Sequence, residues 1–560
     1  EGATNASANG KIVLTFDEKV KLTGNAAATL GTQKIEGAVS GKTITFAYKG
    51  LNYATAYTFT LAAGSVADLT DNATDQAIVL NFTTKTKPAV TKALYDFIVP
   101  TDGDFKAALA AAAKRTDTSK RFRIFIKQGD YKIPADEKSK VTGSDGKSYA
   151  NPTTYMNTPN VSIIGEGMDN TSLTNTVPNS GQSANVLEGI GKGDVLCLQK
   201  GATNTYFQDL KMYSSMGDAK GRDIVLNDQS NKTICKNVNL WAYQDTYVSN
   251  NQNGKFYFED GILRGRTDYL CGKGDVYYNN VELWICEKGG YLAVPSQPKK
   301  YGYIFKDCTI KDATAAKDLN GNYTLGRPWG KGTPIALYID TKMEAIPSAA
   351  GWNEMSGGYP KRFAEYNSYT STGSVVDLKD RKKVYDAYDS KDGDNYVNRR
   401  NETAGDPILA AEEAAFYTVE NIMGQDDDWD PTAATEQASA PTNVKIAGNN
   451  LTWDNSNYAL LWAVCKNGKV VDFTVEPTYN VDDASATWSV RAANEMGGLG
   501  EATEATTSTG IENITTSADV LSTKIYSADG VQVSKLQKGI NIVEKTMSDG
   551  SKKTSKIIIK

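Results

Sequence analysis

Asp245 and Asp268 hold matching places in a repeat. A six-residue phrase recurs as Phe207-Gln-Asp-Leu-Lys-Met212, Cys235-Lys-Asn-Val-Asn-Leu240, Phe258-Glu-Asp-Gly-Ile-Leu263, Tyr278-Asn-Asn-Val-Glu-Leu283 and Phe305-Lys-Asp-Cys-Thr-Ile310. Asp245 lies ten residues after the start at 235, and Asp268 ten after the start at 258. With phrases stacked in register, the two carboxylates occupy one position on neighbouring rungs, about 4.8 Å apart. Carboxyls that close on a solvent-facing wall do not both ionise easily, so one retains its proton. The result is an acid beside a nucleophile, a separation that also fits the roughly 5 Å of retaining glycosidases. The plain alternative is a pair of turn aspartates, a residue type common at coil corners. Gln244 adds an amide donor beside the first carboxylate, and Leu325-Gly-Arg-Pro-Trp329 combines a rigid turn, a fixed cation and a broad aromatic. Arg264 and Arg266 add positive charge near Asp268, and a neighbouring arginine would hold one carboxylate ionised while its partner stays protonated.

Composition narrows the chemistry. The 560 residues include no histidine, which excludes a Ser-His-Asp triad, a Cys-His dyad and any His-ligated metal or haem. Proton transfer falls to carboxylates, Lys, Arg, Tyr or Cys. The six cysteines form no CxxC pair, so neither a zinc ribbon nor a thioredoxin motif is present. Cys235 and Cys308 sit at repeat positions and read as buried thiols. Asp426-Asp-Asp428 and the 389–394 stretch lack the D-x-D-x-D-G spacing of a calcium loop, so no metal is expected. A net charge of −5 gives no reason to expect nucleic acid. No run of 18 apolar residues suggests a membrane span. The opening Glu1-Gly2-Ala3 carries no information on compartment.

The repeat needs a scaffold. Its starts are 28, 23, 20 and 27 residues apart, its third position is always Asp or Asn, and its sixth is always apolar. A short strand with an Asx corner at that period is what a coil of a right-handed parallel β-helix requires, with apolar positions stacking from coil to coil. The segment 104–120 reads as a helix N-capped by Asp104, with Phe105, Leu109 and Ala113 on one face, covering the open solenoid end. Residues 400–431 read as a tail folded back on the solenoid, with a helical patch at Leu409–Val419. Flanking blocks alternate as β-sandwiches. Residues 1–87 resemble bacterial Ig-like modules through Leu14-Thr-Phe-Asp-Glu18 and Phe82-Thr-Thr84. Residues 441–508 resemble fibronectin type III modules through Leu451-Thr-Trp453 and Thr487–Asn494, with Trp453 and Trp488 expected in the sandwich core. Residues 511–560 resemble the C-terminal sorting domain of exported Bacteroidetes proteins, an address read by secretion machinery.

Over residues 88–431 the sequence resembles the pectin methylesterase (pectinesterase) family. That family's "QDT", "DFIFG" and "LGRPW" stand here as Gln244-Asp-Thr246, Asp268-Tyr-Leu-Cys-Gly272 and Leu325-Gly-Arg-Pro-Trp329, in the family's order. Arg123–Tyr131, Ile163-Ile-Gly-Glu-Gly167 and Asp428-Trp-Asp-Pro431 agree as well. The resemblance implies Asp268 as the nucleophile on the C6 methyl-ester carbonyl of a galacturonate. It implies Asp245 as proton donor to methanol and then as base toward water. Gln244 would be an oxyanion donor, Arg327 the partner that orients Asp268, and Trp329 a wall for the sugar, with Thr246 and Tyr269 also bordering the substrate. The partner implied is pectin, methyl-esterified homogalacturonan, and the place of action secreted, periplasmic or at the cell surface. No cofactor is implied.

Two departures stand out. Arg222-Asp-Ile-Val-Leu226 occupies the place of the family's "QAVAL", so Arg222 replaces a glutamine on the oxyanion side. An arginine there is a competent and stronger donor to an oxyanion, the role expected of it; the alternative is that it pairs with Asp223 or Asp245 and distorts the site. Tyr269 and Cys271 replace the phenylalanines of "DFIFG". Two rival readings remain from the residues. One is another β-helix pectin-active enzyme, a polygalacturonase-type hydrolase or a lyase. The other is a weakened pectin-binding protein, motivated by Arg222.

Overall fold

The computed structural model describes residues 2–559 except 25–26, 92, 182–183, 314–318, 457, 508–519 and 548–551. The chain forms two compact units, one of residues 1–438 with 457–461 and 493–500, the other of the remaining residues from 439 on.

In the first unit, residues 3–84 build a β-sandwich. The strand Thr43–Tyr48 buries every second side chain, Ile44, Phe46 and Tyr48, as expected of a strand with one face in a core. Phe59 and Leu61 of Ala56–Leu61 meet them there.

Beyond this module the chain winds as a parallel β-helix. Its three long sheets hold ten, nine and seven strands, each pairing parallel with the strand one coil further on. The repeated phrase forms the corner between two of the sheets. Asp209, Asn237, Asp260, Asn280 and Asp307 all have φ between 49° and 57°, the left-handed region that Asp and Asn tolerate best among residues with a Cβ. The corner side chains also bond coil to coil: Asn237 Nδ2 donates to Asp209 Oδ1 at 2.6 Å, and Asn280 Nδ2 to Asp260 Oδ1 at 2.7 Å. Two further corners, Asp340 and Asn367, share the conformation and the bond. The sixth phrase positions Met212, Leu240, Leu263, Leu283 and Ile310 are buried in one continuous core, as are Cys235 and Cys308.

The N-terminal cap is the helix Phe105–Lys114, whose Asp104 side chain accepts from Ala107 N at 2.8 Å. It is shorter than the sequence suggests. Asp117 Oδ1 takes both the N–H and the hydroxyl of Ser119, a local turn that competes with helix continuation. The buried face is Phe105, Ala108, Leu109 and Ala112, while Ala113 is exposed.

At the other end Arg381 Nε donates to Glu365 Oε1 at 2.6 Å, with both side chains sealed from solvent. The tail packs as two short helices, Ala411–Phe416 and Val419–Met423. The single patch expected at 409–419 breaks at Thr418, which caps the second helix. The acidic run 426–428 is a strap of ion pairs: Asp426 with Lys299, Asp427 with Lys232 and Lys255, Asp428 with Lys11.

The second unit carries strands of two four-stranded sheets over 445–507 and, at its end, a four-stranded antiparallel sheet of Val520–Ser527, Gln532–Val533, Gly539–Met547 and Lys552–Ile559. Trp453 and Trp488 are buried, as expected. Part of the block expected as a sorting domain, 511–519 and 548–551, lies outside the described residues.

Candidate active site

The seven-stranded sheet carries the site. Tyr247 pairs with Leu270 and Val248 with Cys271, and Gln244 bridges Thr267 one step before. This constant offset sets Asp245 opposite Asp268 on adjacent coils, the arrangement read from the repeat. Both have left-handed backbone, φ 58° and 49°. Just beyond Asp268 the ladder slips by one residue, since Thr267 pairs with Tyr291 but Leu270 with Ala293. Such a bulge re-aims side chains. Asp268 faces the cleft, and Tyr269 turns into the interior.

The cleft, about 350 Å³ of space partly open to solvent, is lined by Arg222, Asp245, Asp268, Cys271 and Trp329, with Ile190, Val294 and Met355. Only small parts of the two aspartates reach solvent, 6% of Asp245 and 4% of Asp268. Their surroundings differ. Arg327 grips Asp268 with a two-pronged bond, Nε to Oδ1 at 2.8 Å and Nη2 to Oδ2 at 2.5 Å. The guanidinium lies 4.0 Å from the centroid of the Tyr291 ring, so a cation–π contact holds it from the other face. Burial pulls on the Arg327 proton, but Asp268 outweighs it and holds the guanidinium more firmly charged. Asp245 has no such clamp. Burial first, and then the Asp268 charge, push its carboxyl up to about 7. Arg222, whose Nε lies 3.4 Å from Asp245 Oδ2, pulls the other way, as does the Cys271 thiol bonded to the carboxyl. Arg222 thus pairs with Asp245 through Nε while half of its side chain stays open to the cleft.

The other expected residues are placed as follows. Trp329 stands on the cleft rim with 40% of its surface open. Gln244 sits at the same corner, and among the described residues its carboxamide makes no hydrogen bond. Thr246 and Tyr269 do not border the cleft. Thr246 is fully buried with its hydroxyl donating to Arg264 O at 3.0 Å, and the Tyr269 ring is part of the core. Arg264 pairs with Asp218 and lies over Trp241, and Arg266 donates to Lys288 O and Thr267 Oγ1. The cation that meets Asp268 is Arg327.

Sequence reasoning missed Tyr291, Ile190, Val294 and Met355. Val294 lies in register with Cys271, so extending the repeat would have found it. Ile190 and Met355 come from excursions outside the repeat, which no spacing rule reaches.

Fold and register together define a parallel β-helix protein with two stacked carboxyls in a cleft. A family model described as Pectinesterase matches residues 96–401, more than half of the chain, and one described as Bacterial Ig-like domain matches residues 1–84. The chain belongs to the pectinesterase family. It is 24% identical over 301 residues to a pectinesterase/pectinesterase inhibitor of Solanum lycopersicum, covering 51% of this chain and 47% of that one. It is 29% identical over 165 residues to a probable pectinesterase A of Aspergillus flavus, covering 28% and 48%. It spans about half the length of these relatives. Among solved structures it is similar to a pectin methylesterase from Erwinia chrysanthemi, with 20% identity, a TM-score of 0.43, and coverage of 61% of this chain and 99% of that one.

Proposed function

We propose that the chain is a pectin methylesterase, removing methyl from the C6 esters of homogalacturonan to leave methanol and free galacturonate. The observation that carries this reading is the contrast between the two stacked carboxyls: Asp268 clamped as an anion by Arg327, and Asp245 with its carboxyl pushed up to about 7. That is a nucleophile beside an acid.

The steps balance without any further reactant but water. An Asp268 oxygen attacks the ester carbonyl, and the carbonyl oxygen takes up the negative charge. Gln244 and Arg222 are the donors at hand for that oxyanion. As the intermediate collapses, the C6–O bond to the methoxy group breaks and Asp245 passes it its proton. Methanol leaves, and Asp268 holds the galacturonyl group as an anhydride. Asp245, now a carboxylate, takes a proton from water while the hydroxide adds to C6. The second collapse frees Asp268 and the acid product and leaves Asp245 protonated again. Trp329 offers its open face to the sugar, and the Cys271, Val294 and Met355 wall suits a methyl group.

Pectin lies outside the cells that make or degrade it, so the protein acts secreted, periplasmic or at a cell surface, with the C-terminal block as its export address. No helix among the described residues is long and apolar enough to cross a membrane.

Hydrolysis in ¹⁸O-labelled water tests the reading. One label enters the new carboxylate, the methanol carries none, and no new reducing ends appear. Label at new chain ends would indicate a depolymerase, and binding with no product a glycan-binding protein.

A further inference from the structure

The cleft runs along the axis of the β-helix, because its walls come from successive coils. Arg222, Gln244 and Thr267 bridge in one parallel row. Thr267 pairs with Tyr291, and Tyr291 with Thr324, on the next two coils. Arg222 therefore starts two coils before Asp268, and Trp329 stands two coils after it. A linear glycan laid in this cleft has Asp268 near its middle, Arg222 toward one end and Trp329 toward the other. The two ends differ in chemistry. From Asp268 onward the wall is Cys271, Val294, Met355 and the open Trp329 face, and the cation there, Arg327, is taken up by Asp268. Before Asp268 stands Arg222, with 52% of its side chain exposed. Its contact with Asp245 is a 3.4 Å ion pair through Nε, and among the described residues its guanidinium makes no hydrogen bond. A guanidinium carries five N–H donors in a fork that matches a carboxylate. Arg327 and Arg381 each close that fork on a buried carboxylate. Arg222 presents it to the cleft with no carboxylate bonded in it.

We propose that Arg222 is a specificity-determining residue that binds the free carboxylate of the galacturonate next to the ester held at Asp268, so that the favoured substrate is a methyl ester with an unesterified neighbour on the Arg222 side. This rests on the esterase reading above. The side chain reaches up to the Asp245 level, one coil short of Asp268, which sets the guanidinium beside the neighbouring sugar as well as at the edge of the reacting one. A carboxylate there offers two charged oxygens to the fork. A methyl ester offers one neutral carbonyl oxygen, and a charge-assisted bond is about twice as strong as a neutral one. The glutamine of the family's motif offers an amide at this place and no charge. The replacement therefore adds a preference for an anionic neighbour on one side of the reacting sugar, while the apolar wall on the other side suits an ester.

Two probes without an ester allow the full-length chain to be titrated with no turnover: an oligogalacturonic acid, and the same oligomer with every carboxyl converted to the primary amide. Calorimetry at low salt should show the acid oligomer bound at least about tenfold more weakly by Arg222→Gln than by the wild type, and the amide oligomer changed by less than about threefold. Arg222→Lys keeps the charge without the fork and should fall between the two. In turnover, the wild type should favour partially over fully esterified homogalacturonan in kcat/KM, and Arg222→Gln should lose that preference. The ratio is the readout, because a loss of oxyanion donation slows both substrates alike. Equal losses for the two oligomers, acid-oligomer binding unmoved by Arg222→Gln, or a wild type that binds no acid oligomer overturns the proposal. If Arg222→Gln does not fold, Arg222→Lys decides by the same comparison of acid with amide. Binding is read whether or not methanol is released. Arg222-dependent binding of the acid without methanol release removes the esterase reading alone, and methanol release with Arg222-independent binding removes this proposal alone.

Discussion

Asp245 and Asp268 share a backbone conformation and a place on the stack, and differ only in what surrounds them. Arg327 grips one with a two-pronged bond, and burial first, then the Asp268 charge, keeps the proton on the other. The account therefore assigns the basic limb of activity to Asp245. Below about 7 the acid holds the proton that methanol needs. Above it the proton is lost and the first step fails, so kcat/KM should fall tenfold per pH unit. A pH–rate profile of methanol release checks this, and a limb nearer pH 4 would contradict it. The two-pronged bond also matters. Arg327→Lys keeps the charge and loses the fork, so kcat should drop by about ten- to a hundredfold, measured by initial rates. The pair itself was legible in the sequence because equal offsets from a repeated phrase become equal heights on a coil. The inward turn of Tyr269 was not, because a bulge changes which side chain faces out and spacing alone does not register a bulge. The burial of Thr246 was not, because its place rested on the motif, which does not show that its hydroxyl bonds Arg264 O.

At the level of elements, the β-helix depends on its corners. Asp260 has φ 57°, accepts from Asn280 and pairs with Lys236. Asp260→Ala places a Cβ residue of poor left-handed tolerance there and removes both partners, so unfolding should cost about 1–2 kcal/mol less. Asp260→Asn tolerates the turn and keeps an acceptor, and should lose less than half as much. Urea midpoints of the two variants decide the order. The corner rule was readable where the phrase recurs at the 20–28-residue spacing. The intact phrase Tyr338-Ile-Asp-Thr-Lys-Met343 escaped because it starts 33 residues after the one at 305, and the corner at Asn367 because a charged Glu365 and a polar Thr370 stand at the first and sixth positions. The helix end at Lys114 also escaped, since a side-chain turn at Asp117 overrode the helical pattern.

At the scale of the molecule, the first unit joins three segments through one residue. Glu495 accepts from Tyr53 and Lys85 of the Ig-like module through its carboxylate, and from Arg123 of the β-helix through its backbone oxygen. Among the described residues, none of the Ig-like module lines the cleft. Glu495→Ala should therefore leave methanol turnover unchanged and speed proteolytic cutting between the module and the β-helix, seen by timed digestion. That an Ig-like module precedes the β-helix was legible from alternation and turn residues, whereas this junction was not, because its partners lie hundreds of positions apart. The proposed esterase chemistry rests on the pair Asp245 and Asp268. The most direct test of that claim is methanol release from highly methyl-esterified homogalacturonan by the wild type and by Asp268→Ala, with reducing ends assayed alongside. The account predicts methanol without new ends from the wild type and a loss of at least about a thousandfold in the variant. Undiminished methanol release by Asp268→Ala would contradict it.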